Sequence, residues 1–427
     1  MISRLAAPEE AYVWIWLPET TTPIVAGRLA RSDNRLVFNY GRSYLARRDA
    51  IALYEPELPL RPGALALTPG LWMPNSLRDA APDAWGRRVI INKLLGGDGR
   101  DGDPAQLDEL TYLLTSGSDR IGALDFQKSP GKYEAREART ASLDELMSAA
   151  ALVEAGIALT PDLDQALLHG SSIGGARPKA MIIDGETKYI AKFSAQTDVY
   201  SVVKAEFIAM RLAALAGLQV APVKLERVAG KDVMLVARFD REKAGRGWHR
   251  KAMVSVLTLL ELDEMMARYA SYETLASIVR HRFAEPRKTL KELFARLVFN
   301  VLCGNTDDHA RNHAAFWDGR QLQLTPAYDI CPQARSGNEA GQAMLIVGES
   351  RTSKIAACLD AAPQFQLSQA DATALVAHQI EVITRQWRHV CDEAALGEID
   401  RRLFWRRQFL NPFAFEGAPP ALMALAE

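Results

Sequence analysis

The segment that decides the fold is Asn305-Thr-Asp-Asp-His-Ala-Arg-Asn-His313. Before it, apolar residues recur at helical spacing from Leu290 to Leu302, which predicts one buried face of a long helix. After it, two short apolar runs flank the turn Asp318-Gly319 and lead to Asp329. The segment is therefore expected in a loop between a helix and a hairpin, and it concentrates carboxylate, amide and imidazole groups there.

The spacing within this loop suggests phosphoryl transfer. Asp307 and Asn312 are separated by four residues, which is the D-x-x-x-x-N spacing of a kinase catalytic loop. Such a reaction needs a base beside the acceptor hydroxyl, ligands for Mg²⁺, a lysine for the phosphates and nearby backbone amides. Asp329 follows the hairpin, where a kinase places its metal-binding aspartate. In isolation this set is also compatible with ordinary loop chemistry.

The remaining parts of a phosphate site lie upstream in the expected order. Gly174-Gly175-Ala176 lacks bulk, so its backbone can approach phosphates closely. The pair Asp184-Gly185 predicts a hairpin, and alternation along its return strand puts Lys192 on the face of Ile190. The order of glycine loop, lysine strand, D-x-x-x-x-N loop and aspartate is much more specific than any single element.

Each element also has a simpler interpretation. A glycine pair is most often a turn, and a strand lysine is most often solvated. His309 and His313 are four residues apart beside two aspartates, so zinc is an alternative, although no third ligand is evident. Glu206, on the predicted helix 204–216, could pair with Lys192 or lie at the surface.

Composition limits the class of protein. The chain has 427 residues, which predicts two or three structural units. Hydrophobic residues make up 48% and charged residues 24%, and the formal net charge is -1, which argues against a strongly basic nucleic-acid binder. The four cysteines are scattered, and neither a signal peptide nor a membrane span is evident. We therefore expect a cytoplasmic protein.

Several motifs resemble the HipA family of bacterial toxin kinases, and the resemblance extends over nearly the whole chain. They are Asp79-Ala-Ala-Pro-Asp-Ala-Trp-Gly-Arg87, Asp119-Arg-Ile-Gly-Ala-Leu124, Ser171-Ser-Ile-Gly-Gly-Ala-Arg-Pro-Lys179, Val236-Ala-Arg-Phe-Asp-Arg241, Asn305-Thr-Asp-Asp-His-Ala-Arg-Asn-His313 and Leu324-Thr-Pro-Ala-Tyr-Asp329.

This resemblance implies an α+β, two-lobed, protein-kinase-like fold with a strand-rich N-terminal subdomain and a mostly helical C-terminal lobe. The expected division is an N-terminal subdomain at 1–130 and a kinase N-lobe-like region at 131–240. A helical C-lobe with the catalytic and metal-binding loops is expected at 241–427.

The resemblance also implies residue roles. Asp307 would be the catalytic base, and Asn312 and Asp329 would bind Mg²⁺. ATP would be bound by residues spread over both lobes: Gly174, Gly175, Ala176, Lys192, His309, the backbone of Arg238 and Phe239, and Asp240 near the ribose. Family members often carry Glu where this chain has Ala237, but backbone groups read adenine there, so little effect on ATP binding is expected.

Family membership further implies autophosphorylation and particular partners. Ser172 aligns with the serine that is autophosphorylated to switch the kinase off, and the adjacent Ser171 is the alternative acceptor. The implied partners are a HipB-like helix-turn-helix antitoxin and a protein substrate, typically an aminoacyl-tRNA synthetase. Operator DNA would be contacted only through the antitoxin, and no membrane partner is expected.

Two alternative functions remain open on sequence grounds. One is a catalytically silent kinase fold that acts as a corepressor with a DNA-binding antitoxin. The other is a kinase of the same fold that acts on a small molecule, because acceptor specificity depends on surface shape.

Overall fold

The computed structural model of the protein describes residues 7–95, 107–137, 141–167, 175–195, 198–335, 337 and 339–426. The chain forms two compact units. The first comprises Met1–Thr197, Glu226–Val254 and Phe316–Arg320. The second comprises Asp198–Leu225, Ser255–Ala315 and Gln321–Glu427.

The first unit begins with an antiparallel sheet made of β1 (Glu10–Ile15), β2 (Ile24–Ser32), β3 (Arg35–Tyr40) and β4 (Leu124–Gln127). Its strand order is β3-β2-β1-β4. Val13, Leu29 and Phe38 of these strands are fully buried in one hydrophobic core, and burial alternates along β3, whereas all four residues of β4 are buried. The alternation along β3 is typical of a strand with one covered face, whereas β4 is covered on both faces.

Six helices are described in the first unit. They are α1 (Arg42–Leu45), α2 (Asn75–Arg78), α3 (Ala84–Leu95), α4 (Glu109–Thr115), α5 (Leu143–Glu154) and α6 (Pro161–Leu167). Ser142 and Glu145 form a capping box at the start of α5, with each side chain bonded to the other residue's backbone N–H.

A second four-stranded sheet carries the predicted lysine strand. It contains β5 (Lys179–Asp184), β6 (Thr187–Phe193), β7 (Val223–Val228) and β8 (Lys231–Ala237), in the order β5-β6-β8-β7. The predicted β5–β6 hairpin is present, but its two-residue turn is Gly185-Glu186 rather than Asp184-Gly185, because Asp184 still pairs with Thr187; Gly185 has a φ of 59°. A two-stranded sheet follows, made of β9 (Arg241–Ala244) and β10 (Gly247–Arg250).

The remaining strands are short. They are β11 (Ala252–Ser255), β12 (Ala314–Trp317) and β13 (Leu322–Leu324). The last two flank the predicted turn at Asp318-Gly319, where Gly319 has a φ of 95°.

The second unit is mostly helical. Its α-helices are α7 (Val202–Leu215), α8 (Val256–Leu259), α9 (Tyr272–Arg282), α10 (Pro286–Cys303), α11 (Ile355–Ala361), α12 (Gln369–Glu393), α13 (Glu398–Phe404) and α14 (Pro420–Ala426). Short 3₁₀ helices occur at Glu264–Tyr269, Ala310–Asn312, Ala362–Phe365 and Pro412–Phe415. The predicted apolar face of α10 is buried, and Ser368 caps α12 by accepting a hydrogen bond from Asp371 N, as predicted.

These elements confirm the predicted α+β class with strands early and helices late. The three-part division at 130 and 240 stays a prediction. The helix expected at 204–216 begins at Val202 and belongs to the second unit, although the sequence division grouped it with the N-lobe region. Among the described residues, no helix is both long and apolar enough to cross a membrane.

Candidate functional site

The predicted catalytic loop starts at a sharp reversal after α10. Gly304 ends the helix with a left-handed φ of 72°. A Cβ atom at this position would lie 2.7 Å from the backbone oxygen of Gln408, so both the conformation and the space require glycine. The chain leaves the helix at once and brings residues 305–307 into a compact loop that ends in the 3₁₀ turn Ala310–Asn312.

Asp307 and Asn312 are held together within the second unit. The Nδ2 atom of Asn312 donates a hydrogen bond to the backbone oxygen of Asp307 at 3.0 Å. Asp307 is exposed, whereas Asn312 is buried. This arrangement fixes the base candidate at the surface and leaves the amide oxygen of Asn312 as the group that can bind a cation.

Asp329 adopts a left-handed backbone conformation, with a φ of 58°. Such a conformation is uncommon for a non-glycine residue and is often found at functional sites. The preceding residue, Tyr328, donates its hydroxyl to the backbone oxygen of Arg311 at 2.9 Å. The Asp329 segment is therefore tied directly to the catalytic loop.

Electrostatics link these acidic groups. The pKa of Asp307 is raised because its carboxylate is partly desolvated, although the residue as a whole is exposed, and because Asp329 and Asp308 are negatively charged. His309 acts in the opposite direction and lowers that pKa. A cation between these groups would relieve the repulsion between the carboxylates.

The donor set fits Mg²⁺, which prefers oxygen ligands and is usually bound by one or two carboxylates together with substrate phosphates. Asp329 supplies a carboxylate and Asn312 an amide oxygen. Both belong to the second unit, and Asp307 lies beside them. When bound, the cation would neutralise charge on the phosphates.

Behind the loop lies a buried triad made of Tyr272, Asp308 and His313. The Tyr272 hydroxyl donates to Asp308 Oδ2, and His313 Nε2 donates to Asp308 Oδ1 at 2.8 Å. The Tyr272 hydroxyl also lies 3.1 Å from His313 Nε2. The His313 ring is buried and hydrogen-bonded to Asp308, which argues against the zinc alternative that paired it with His309.

The expected nucleotide-binding residues of the first unit are only partly described. Gly174, Ser171 and Ser172 lie outside the described residues. Gly175 has a φ of 100°, and Ala176 follows it in a short bend before β5.

Two lysines are paired at the start of the β5–β6 hairpin. Lys192 on β6 lies directly opposite Lys179 on β5, so both side chains emerge on the same face of the sheet. Lys192 shares that face with Ile190, as predicted. Lys179 is 4% exposed and its ammonium lies against Gly175, while Lys192 is half-buried on the neighbouring strand.

Arg238 and Asp240 form part of a buried ion-pair cluster. Arg238 Nε donates to Asp240 Oδ1 at 2.9 Å, and Arg241 Nε donates to Asp119 Oδ1 at 2.9 Å. Lys188 also donates to Asp119. Asp240 is only 2% exposed, so its carboxylate has a structural role here, and the expected ribose contact stays a prediction.

Charge compensation dominates inside this cluster. Burial alone would favour a neutral Asp119, but Arg238, Arg241 and Lys188 hold the pKa of its carboxyl well below the ordinary range. Burial lowers the pKa of the Lys188 ammonium to about 8, despite the opposing charge of Asp119. Buried ion pairs therefore connect the motif that contains Asp119 with the motif that contains Arg238.

Sequence reasoning missed three kinds of residue. The first is the triad partner Tyr272, which lies in a helix without a recognisable motif. The second is Asp83, whose carboxylate accepts a hydrogen bond from Gly175 N at 2.8 Å. The third is Asp119, which belongs to a motif but was given no role. The surface alternative for Glu206 is wrong, because this side chain is 3% exposed.

Comparisons with known proteins identify the family. Residues 171–387 match the HipA-like C-terminal domain, and residues 15–127 match the HipA N-terminal domain. The chain belongs to the HipA family. Its family membership confirms the resemblance seen in the motifs.

A solved HipA structure shares the fold. It is the Shewanella oneidensis MR-1 toxin–antitoxin system HipA, HipB and its operator DNA complex. The two chains superimpose with a TM-score of 0.67 over 92% of this chain and 93% of that one, at 18% sequence identity. This match confirms the predicted HipA-like α+β fold.

Two curated relatives are similar over part of the chain. The protein named "Putative kinase Y4mE" of Sinorhizobium fredii is 29% identical over 175 residues, which is 37% of this chain and 41% of that protein. A protein named "Putative kinase" of Haemophilus influenzae is 25% identical over 181 residues, covering 38% of this chain and 52% of that protein. The chain thus spans about half the length of these relatives or less.

Proposed function

We propose that this HipA-family protein is an ATP- and Mg²⁺-dependent serine/threonine protein kinase. Asp307 accepts the proton of the acceptor hydroxyl, and Asn312 and Asp329 hold the cation. Lys192 and the backbone at Gly175 and Ala176 bind the phosphates. His309 and the backbone of Arg238 and Phe239 complete nucleotide binding.

The observation that carries this proposal is the arrangement of three groups in the second unit. Asp307 is exposed, its own backbone oxygen is bonded to Asn312, and partial desolvation of its carboxylate together with the charge of Asp329 raises its pKa. A raised pKa makes a carboxylate a better general base near neutral pH. A loop with only a structural role gives no reason for a left-handed Asp329 whose negative charge acts on Asp307.

In the cell, we propose, the kinase is the cytoplasmic toxin of a type II toxin–antitoxin module. Family membership and the shared fold with a HipA from a toxin–antitoxin complex support this role. The partner would be a HipB-like helix-turn-helix antitoxin, through which operator DNA is contacted. The substrate would be an aminoacyl-tRNA synthetase or a similar translation protein.

Autophosphorylation would regulate the enzyme. Ser172, or the neighbouring Ser171, would receive a phosphate that carries about -1.5 to -2 charges. A loop meant to bind phosphates would then repel ATP, and the phosphoserine would favour nearby cations such as Arg177 and Lys179. This modification would switch the kinase off.

The decisive experiment is incubation with Mg·ATP followed by intact and peptide mass spectrometry. Wild type should gain phosphate on the peptide that contains Ser171 and Ser172. Asp307→Gln should gain none, because the base is lost, while Asp360→Gln on an exposed face of α11 should behave as wild type. An Asp307→Gln protein that keeps more than a few per cent of the wild-type rate would exclude Asp307 as the base.

Thermal-shift titration with Mg·ATP separates the kinase from a silent corepressor fold. At a ligand concentration 100 times Kd, binding stabilises the folded state by about 2.7 kcal/mol. A clear rise in Tm is expected for wild type. No shift at millimolar Mg·ATP would favour the silent fold.

A further inference from the structure

The backbone of Gly175 is bonded on both sides by the start of α3. Its N–H donates to Asp83 Oδ2 at 2.8 Å, and its oxygen accepts a hydrogen bond from Trp85 N at 3.2 Å. The indole Nε1 of Trp85 donates to the backbone oxygen of Lys179 at 2.9 Å. Three hydrogen bonds thus fasten the segment from Gly175 to Lys179 to a motif of the N-terminal domain.

The anchoring side is buried and closely packed. Trp85 is 1% exposed and packs in one hydrophobic core with Ala180 and Ala191, which belong to β5 and β6. The Trp85 N–H lies in the first turn of α3, where no intrahelical acceptor is available, and it donates to the Gly175 oxygen instead. The start of α3 and the lysine hairpin therefore form one packed body within the first unit.

The anchored side is shaped for this contact. Gly175 has a φ of 100°, and a Cβ atom there would lie 2.2 Å from Lys179 Nζ. The Lys179 side chain, 4% exposed, thus lies against the glycine backbone, in space that any other residue would fill. The contact holds an amine next to the peptide units that close the glycine-rich stretch.

An anchor at this point determines where the following groups lie. Gly175 is the last glycine before Ala176, and Lys192 emerges across from Lys179 on the paired strand. A phosphate-binding backbone works only if its amides are directed at the phosphates before the ligand arrives. A loop released at Gly175 would have to be ordered during binding, which lowers affinity.

We propose that Asp83 and Trp85 are positioning residues through which the N-terminal domain sets the affinity of the kinase for the phosphates of ATP. This inference rests on the proposed function. Asp83 fixes the Gly175 amide, and Trp85 fixes the carbonyls of Gly175 and Lys179. Neither side chain has to touch the nucleotide.

The test compares the binding of Mg·ATP and adenosine by calorimetry in wild type, Asp83→Asn and Asp83→Ala. Asp83→Ala should weaken Mg·ATP binding about tenfold and leave adenosine binding unchanged, because only the phosphate end loses its support. Asp83→Asn keeps an acceptor oxygen, so its affinity for Mg·ATP should lie between those of wild type and Asp83→Ala. Asp144→Asn, an exposed acidic residue in the first turn of α5, is the matched control and should bind as wild type.

A nucleotide-free measurement accompanies the calorimetry. Amide hydrogen exchange in the peptide that spans residues 175–179 should be faster in Asp83→Ala than in wild type and Asp144→Asn. Equal loss of ATP and adenosine binding would indicate general damage and overturn the positioning role. Unchanged ATP affinity with unchanged exchange would overturn the inference alone. A wild-type protein that binds no ATP would overturn the proposed function and, with it, the inference.

Discussion

The buried triad behind the catalytic loop gives the sharpest test of how the loop is held. Tyr272→Phe removes one hydroxyl and no carbon, so the packing of α9 is preserved. The hydroxyl is a donor at all ordinary pH values, because burial and the charge of Asp308 raise the pKa of Tyr272 well above its usual range. Asp308 is 1% exposed and would lose one of its two side-chain donors.

The magnitude follows from this geometry. A hydrogen bond to a buried charged group contributes about 1.5–3 kcal/mol, and removing one partner leaves a buried carboxylate with one donor fewer. For a unit of roughly 200 residues, 1 kcal/mol corresponds to about 2–4 °C in Tm. We expect Tyr272→Phe to lower the Tm of the second unit by about 5 °C.

The same substitution should affect catalysis in a particular way. Asp308 directly follows the proposed base Asp307, and His313 directly follows the proposed metal ligand Asn312, so the triad holds both ends of the loop. Small displacements of reacting groups are costly. We expect kcat to fall about tenfold. The KM for ATP should change less, because the proposed phosphate contacts at Gly175, Ala176 and Lys192 lie in the first unit, whereas His309 alone among the proposed nucleotide contacts lies in this loop.

Calorimetric unfolding and steady-state kinetics measure these effects. Tyr269→Phe serves as the control, since Tyr269 is 51% exposed and should lose its hydroxyl without effect. A Tyr272→Phe protein with wild-type Tm and kcat would show that the triad does not support the loop. A rise in KM with unchanged kcat would place its effect on nucleotide binding instead.

Two further predictions concern strain and pH. Asp329→Gly should raise the free energy of unfolding by up to about 1 kcal/mol, because glycine tolerates the left-handed backbone, and it should abolish phosphoryl transfer. Urea unfolding measures the first effect and a kinase assay the second. A variant less stable than wild type would show that the backbone at Asp329 is not strained. Lys188 has a pKa of about 8 in the folded protein and about 10.4 when unfolded. Between these values the unfolded state binds more protons, so stability should rise with pH, at most by about 1.4 kcal/mol per pH unit. Urea unfolding of wild type against Lys188→Met from pH 7.5 to 9.5 measures this difference, and parallel pH profiles would exclude the lowered pKa.

Local patterns predicted the elements that depend on neighbours in sequence. The Asp184-Gly185 pair predicted the β5–β6 hairpin, although the turn lies one residue later at Gly185-Glu186, and the apolar spacing from Leu290 predicted α10. The position of Lys192 relative to Ile190 followed from strand alternation. Each of these features is determined within about a dozen residues, which is the range over which periodicity and turn chemistry act.

Polar contacts between residues far apart in the sequence could not be predicted from local patterns. Asp83 and Gly175 are 92 residues apart, and Asp119 and Arg238 are 119 residues apart. Nothing in composition or spacing brings such pairs together, because their contact depends on how whole elements pack. The motif stretches were visible in the sequence, but which of their residues face a ligand and which face the core was not.

The catalytic loop shows why a motif alone leaves that question open. Asp307 is exposed while Asp308, its neighbour, is buried in the triad. Asn312 is bonded to the backbone of Asp307, whereas His313 is bonded to Asp308. Two adjacent aspartates therefore have different roles: Asp307 is the proposed base, and Asp308 is the hydrogen-bond acceptor that orients the loop. Substituting the second aspartate would be expected to impair catalysis although it never meets the substrate, so loss of activity alone does not identify a base.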